Sequence, residues 1–201
     1  MNFKLGRFDD AIKIGEANLK SVSAKELSAL SKIIGESYFN LKEYPKALIY
    51  LNEYKGKNGK WSHIDFYQLG YTYYKLNKYQ DAISQFNKII SGNNELAQNA
   101  YYYLGDCYLK MNLKSSALNA FKIAMSLKYN SVIEEDANLN YVKLSYEIGN
   151  PYEDLSHILK KFIEKYPNNE SIDEIKKLLI HSYVLNNDHD AALKILDKEN
   201  K

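Results

Sequence analysis

The chain has 201 residues, 45% of them hydrophobic, and 27 basic residues stand against 25 acidic ones for a net charge of +2. That balance offers no long-range field to a phosphate backbone, and the basic set is lysine apart from Arg7, whereas phosphate clamps and base readout favour the guanidinium, so a nucleic-acid partner is not expected. One cysteine, Cys107, permits neither an internal disulfide nor a cysteine-based zinc site, and no apolar run approaches the ~18 residues that cross a bilayer.

In chain order, residues 1–22 read as a partial unit, followed by units at about 23–57, 58–92, 93–128, 129–168 and 169–201. Because the chain starts in the middle of a unit, it is expected to be a piece of a longer protein. First helices are announced by capping boxes at Ser23–Glu26, Ser131–Glu134 and Ser171–Glu174, with a near match at Ser62–Asp65. Second helices carry apolar residues at helical spacing, as in Ala82, Ile83, Phe86, Ile89 and Ile90. Short polar turns such as Asn77-Lys78 and Asn112 separate the two. The segment Gly56-Lys-Asn-Gly59-Lys60 lacks the length and hydroxyl of a phosphate loop and reads as the turn between units. Strand signals are absent, so the fold is expected to be all-α.

The decisive signal is a repeat. Gly35, Gly70 and Gly105 stand 35 residues apart, and so do Tyr38, Tyr73 and Tyr108, and Ala47, Ala82 and Ala117. Leu51, Phe86 and Phe121 keep the interval, as do Leu41, Leu76 and Met111. Small residues at fixed points let two helices approach closely, and an aromatic three residues on fills the space beside them. One such pair cannot bury its apolar face alone, so units must stack.

The run Leu69-Gly-Tyr-Thr-Tyr73 through Leu76, Tyr79, Ala82 and Phe86 resembles the tetratricopeptide-repeat signature, and Leu104-Gly105, Tyr108, Ala117, Phe121 and Ala124 match it again, with Lys114 in place of an aromatic. Leu5 to Ala11 looks like the turn and second helix of an earlier unit, and Asp190-Ala191 marks a last one. The resemblance implies a right-handed α-α superhelix of five to six helical hairpins with about ten or eleven helices. Residues 131–167 depart from the pattern: extra residues near Tyr129-Asn130 and the turn Gly149-Asn-Pro151 shift the register, and either Ser145 or Lys143 holds the small-residue position. The segment Phe162-Ile-Glu-Lys-Tyr166-Pro167 resembles the ending found in a bacterial envelope subgroup of the family, so a bacterial cytoplasmic or periplasmic location is expected.

No HExxH, CxxC or GxGxxG is present, and His63, His157, His181 and His189 are scattered over separate units. No catalytic residue, metal or cofactor is expected, and the chain is read as a non-enzyme. Trp61, just ahead of a helix, is either a packing staple or a partner contact.

In the family, the first helices line the concave face. Mapped here, that face offers Lys32, Glu36 and Asn40; then Tyr67, Gln68, Tyr71, Tyr74 and Lys75; then Asn99, Tyr102, Tyr103, Asp106 and Lys110. Tyrosine couples apolar area to a polar tip, as recognition surfaces require. The expected function is a protein-interaction scaffold holding a peptide or helix of a partner along these tyrosines, in place of the inner lysines, arginine and asparagines with which chaperone-binding members of the family hold a terminal carboxylate. The alternatives are a structural spacer or regulatory region of a larger protein, and tyrosines that pack only on one another.

Overall fold

A computed structural model describes residues 6–199, with side chains described through residue 196; Leu5, placed by the sequence in the first turn, lies outside the described residues. Among the described residues the chain forms eleven α-helices: α1 Phe8–Asn18, α2 Ala24–Asn40, α3 Tyr44–Glu53, α4 His63–Lys75, α5 Tyr79–Phe86, α6 Glu95–Lys110, α7 Lys114–Leu127, α8 Ser131–Ile148, α9 Leu155–Lys165, α10 Ile172–Leu185 and α11 His189–Glu199. Each helix packs on the next, and α2, α4, α6 and α8 also touch in series, which gives a helical-hairpin solenoid whose first helices share one face.

The turns inside hairpins share one geometry. Lys42, Asn77, Asn112 and Asn187 all sit in the left-handed region, at φ 58–62°. The amide after each bonds back to the final turn of the first helix: Glu43 to the Tyr38 carbonyl, Lys78 to Tyr73, Leu113 to Tyr108 and Asp188 to Tyr183. This closure satisfies carbonyls the helix end leaves open, and asparagine tolerates the conformation better than other non-glycine residues.

The glycine columns lie where hairpins close. A Cβ on Gly70 would stand 3.0 Å from the Phe86 ring, and one on Gly105 2.7 Å from the Phe121 ring. The ring seated on each glycine thus comes from the second helix, not from the tyrosine three residues later; Tyr73 and Tyr108 are only half-buried. Ala47, Ala82 and Ala117 are fully buried. The core runs across unit boundaries: Phe121 and Ala124 of α7 cluster with Tyr141 and Leu144 of α8, Leu159 and Phe162 of α9 and Ile175 of α10. After Phe86 the regular helix tightens, with Ile89 bonding back to the Phe86 carbonyl, and this keeps Ile89 in the core.

Two of the expected caps are differently built. Ser23–Glu26 and Ser62–Asp65 are reciprocal boxes, the second with a shorter acid doing the work of glutamate. At α8, however, the Asn130 side chain accepts from the amides of Val132 and Ile133, which moves the cap one residue ahead of Ser131. At α10 Ser171 makes no side-chain cap, and its amide donates to Asn169 Oδ1.

The irregular unit is held by buried amides. Gln98 of α6 is fully buried; its Nε2 donates to the carbonyls of Ala124 and Asn130, and its Oε1 accepts from the amides of Tyr129 and Asn130. This clamp secures the extra residues between α7 and α8, where Lys128 takes φ 56°. Ser145, not Lys143, is the buried small residue: its hydroxyl donates to the Tyr141 carbonyl, while Lys143 pairs with Glu174 at 2.7 Å. Asn150 donates to Ser145 and Tyr141 and accepts from the amides of Tyr152 and Glu153, which makes the α8–α9 connection a bonded turn.

Candidate functional site

The α4 and α6 tyrosines come together, and they do so by packing. Tyr71 is the hub. Its ring lies 5.0 Å from Tyr103, 5.9 Å from Tyr74 and 6.1 Å from Tyr67. Tyr74 and Tyr103 are 5.1 Å apart, and Tyr103 stacks on Phe86 at 5.9 Å, so the cluster is rooted in the core beneath Gly70. Tyr102 touches Tyr103 at 5.4 Å and Phe121 at 5.8 Å. All five rings are half-buried, leaving an edge to solvent. Such edge and offset contacts contribute about 0.5–1.5 kcal/mol each beyond burial.

Two aromatics belong to this surface that sequence reasoning missed. Phe39 of α2 and Tyr44 of α3 lie 5.7 and 6.0 Å from Tyr71. Their signal was available for Tyr44, which stands 35 residues before Tyr79, itself 6.3 Å from Tyr74. Phe39 carried the same signal, since it stands 35 residues before Tyr74, although the column ends on Leu109.

Polar groups edge the rings. The Tyr74 hydroxyl donates to Asp106 at 2.7 Å, and burial together with that carboxylate pushes the phenol well above its usual range. Burial and the charges of Asp136 and Asp106 push the Tyr102 phenol to about 12. These tyrosines therefore remain neutral hydrogen-bond donors at physiological pH. The ammonium of Lys75 sits 5.4 Å over Tyr71 and 5.7 Å over Tyr74, a cation on aromatic faces. Gln68 is half-buried with a solvent-shielded Oε1 that has no hydrogen-bond partner among the described residues. It lies beside Glu36, whose carboxyl burial holds above the usual range. Lys32 joins Asp65 and lies 3.7 Å from Glu36. Asn99 is half-buried and Lys110 exposed, and neither is drawn into the ring cluster.

The other candidates resolve locally. Trp61 stacks between Tyr54 and Phe66 at 5.5 and 5.3 Å, as a staple does. Gly56 to Lys60 form a closed turn, and a Cβ on Gly56 would strike the Lys60 backbone at 2.6 Å. Cys107 is buried, and burial pushes its thiol to about 12, which leaves it unreactive. Among the described residues no group of three His, Cys, Asp or Glu side chains is placed to hold a metal. No helix there is long and apolar enough to cross a membrane. A cleft of about 470 Å³ opens away from the tyrosines, between α9, α10 and α11, over Leu179, Tyr183 and Ile195. Ile180 stands seven residues before Asn187, the place that Gly35, Gly70 and Gly105 hold before Lys42, Asn77 and Asn112, so the last hairpin carries a large residue where those three have glycine.

Helical hairpins with left-handed turns, alanine and glycine at closest approach, and first helices sharing a face define a repeat solenoid. Family models match residues 67–124 as a tetratricopeptide repeat and residues 4–89 as subunit 3 of the anaphase-promoting complex, cyclosome. The chain belongs to the tetratricopeptide-repeat proteins. Its fold is similar to that of MamA from AMB-1, with a TM-score of 0.67 at 14% identity over 86% of this chain and 90% of that one. It is also similar to a second MamA structure, at 0.64 and 19% over 85% and 88%. A tetratricopeptide repeat protein from Parabacteroides merdae ATCC 43184 gives a TM-score of 0.62 at 18% identity over 98% of this chain and 74% of that one. A comparison with curated proteins finds no match.

Proposed function

We propose that the chain is a non-catalytic scaffold that holds a peptide or helical segment of a partner protein along the face of α4 and α6. The observation that carries this reading is the half-buried ring cluster of Tyr67, Tyr71, Tyr74, Tyr102 and Tyr103, whose solvent edges are bordered by Gln68, Lys75 and Asp106. Rings already fixed by their neighbours lose little freedom when a partner covers them, and aromatic anchors with polar tips dominate interface energies. Asn99 and Lys110 extend the same face at its margins. The arrangement calls for no metal, cofactor, nucleic acid or membrane insertion, and a bacterial envelope assembly is one setting that the Phe162–Pro167 segment suggests.

The competing reading is a structural spacer, favoured by the extent to which the rings satisfy one another. The two separate on Tyr102→Ala and Tyr71→Phe. The first removes a ring at the edge of the cluster; the second removes only a hydroxyl from its hub. Both proteins are first shown to melt cooperatively. A partner captured from the native cell by the wild type should bind Tyr102→Ala more weakly by about 1–2 kcal/mol. Equal binding by both variants would mean that the partner docks off this face, and capture of no partner supports the spacer.

A further inference from the structure

We propose that the segment held on this face is basic, with an arginine or lysine side chain lying against Tyr102 between Asp106 and Asp136. This rests on the reading that the α4–α6 face binds a polypeptide. The face has more hydrogen-bond acceptors than it uses. Gln68 Oε1 is shielded from solvent without a donor. Asp106 receives only the Tyr74 hydroxyl, and Asp136 of α8 is half-buried; neither forms an ion pair among the described residues. Burial first, and then the charges of Glu135 and Glu170, disfavour the ionised form of Asp136.

Lys110, four residues after Asp106, is exposed and forms no ion pair among the described residues, but other cations of these helices are committed elsewhere. Lys143 is bound to Glu174, Lys165 to Glu134 and Lys32 to Asp65. Glu135 is met by the neutral amide of Asn169 at 2.6 Å. Half-buried carboxylates next to one another gain most from a group that brings positive charge and several N–H donors at once. The aromatic part of the surface points the same way. Lys75 lies over the faces of Tyr71 and Tyr74, so the surface already accommodates one cation. Tyr102 offers a further ring, with a carboxylate on its own helix four residues on and another from α8. Stacking of a guanidinium on a ring flanked by carboxylates joins cation–π attraction to charge-assisted hydrogen bonds. An acidic segment would bring like charge to Asp106, Asp136 and Glu170.

The test uses synthetic twelve-residue peptides on an array, in matched sets that share leucine and tyrosine positions and differ only in carrying arginine, glutamine or glutamate pairs. Each set is probed with the wild-type chain and with the Asp106→Asn/Asp136→Asn and Tyr102→Ala variants, after circular dichroism confirms their fold. The arginine set should be retained preferentially. Its best members, re-measured by calorimetry, should bind the double asparagine variant at least about tenfold more weakly and weaken as salt rises. If the glutamine or glutamate set binds equally well or better, and Tyr102→Ala abolishes that binding, the partner segment is not basic while the binding face stands. If the arginine set binds but is indifferent to every variant, both the charge assignment and the face are wrong. If no set binds up to millimolar concentration, the basic-segment proposal is overturned.

Discussion

The Gln98 clamp invites a direct perturbation. Gln98→Leu keeps the side-chain size and removes four hydrogen bonds at 2.7–3.2 Å that join α6 to the α7–α8 connection. At about 1 kcal/mol net for each bond, the loss is about 4 kcal/mol. Tyr129, where one of the freed amides lies, is 49% exposed, so water recovers part of that, and the buried leucine returns a further 1–2 kcal/mol or so. The expected destabilisation is about 2–3 kcal/mol, which for a chain of this size lowers the melting temperature by roughly 4–12 °C. Thermal and urea melts followed by far-ultraviolet circular dichroism measure it. Asn99→Ala, next door and outside the clamp, serves as the control and should change stability by no more than about 0.5 kcal/mol. Amide exchange should accelerate first at Tyr129 and Asn130. A Gln98→Leu protein that melts with the wild type, or exchange unchanged at those two amides, would refute the claim that this side chain secures the connection.

Gly105→Ala places a methyl 2.7 Å from the Phe121 ring and should cost about 1–3 kcal/mol by denaturant melt, with Gly70→Leu worse and Ala82→Glu, which buries a charge at a fully buried site, worse still; unchanged melting would mean the hairpins do not close on these columns. Asp65 is penalised by burial, but its bonds from Lys32 and Ser62 outweigh that and hold its carboxyl below the ordinary 3.8. The unfolded chain therefore takes up this proton first: the stability Asp65 contributes is full above about pH 4 and is lost as pH falls through the folded value, and Asp65→Asn should show a smaller acid-side loss in pH-dependent melts. An acid-side loss as large in Asp65→Asn as in the wild type would show that the pair is energetically silent.

The sequence determined the repeat, the hairpin as its unit and the near-complete set of helices, because these follow from local rules. Apolar spacing selects helices, an asparagine that tolerates a left-handed turn ends one and starts the next, and a glycine or alanine every 35 residues marks where two helices touch. It also placed five tyrosines on first helices at helical spacing. What it could not decide were matters of contact between residues some thirty positions apart. Whether Ser145 or Lys143 turned inward depended on the α8–α9 connection that Asn150 bonds together. The α8 cap moved from Ser131 to Asn130 because Gln98, on another helix, holds that segment in place. The tyrosines became one ring cluster with Phe39 and Tyr44 only because α2, α4 and α6 pack in series at a particular separation and angle. Periodicity says which side of a helix a residue occupies; the distance across to the next helix, which decides whether two rings touch or leave a face for a partner, is set by how neighbouring units pack.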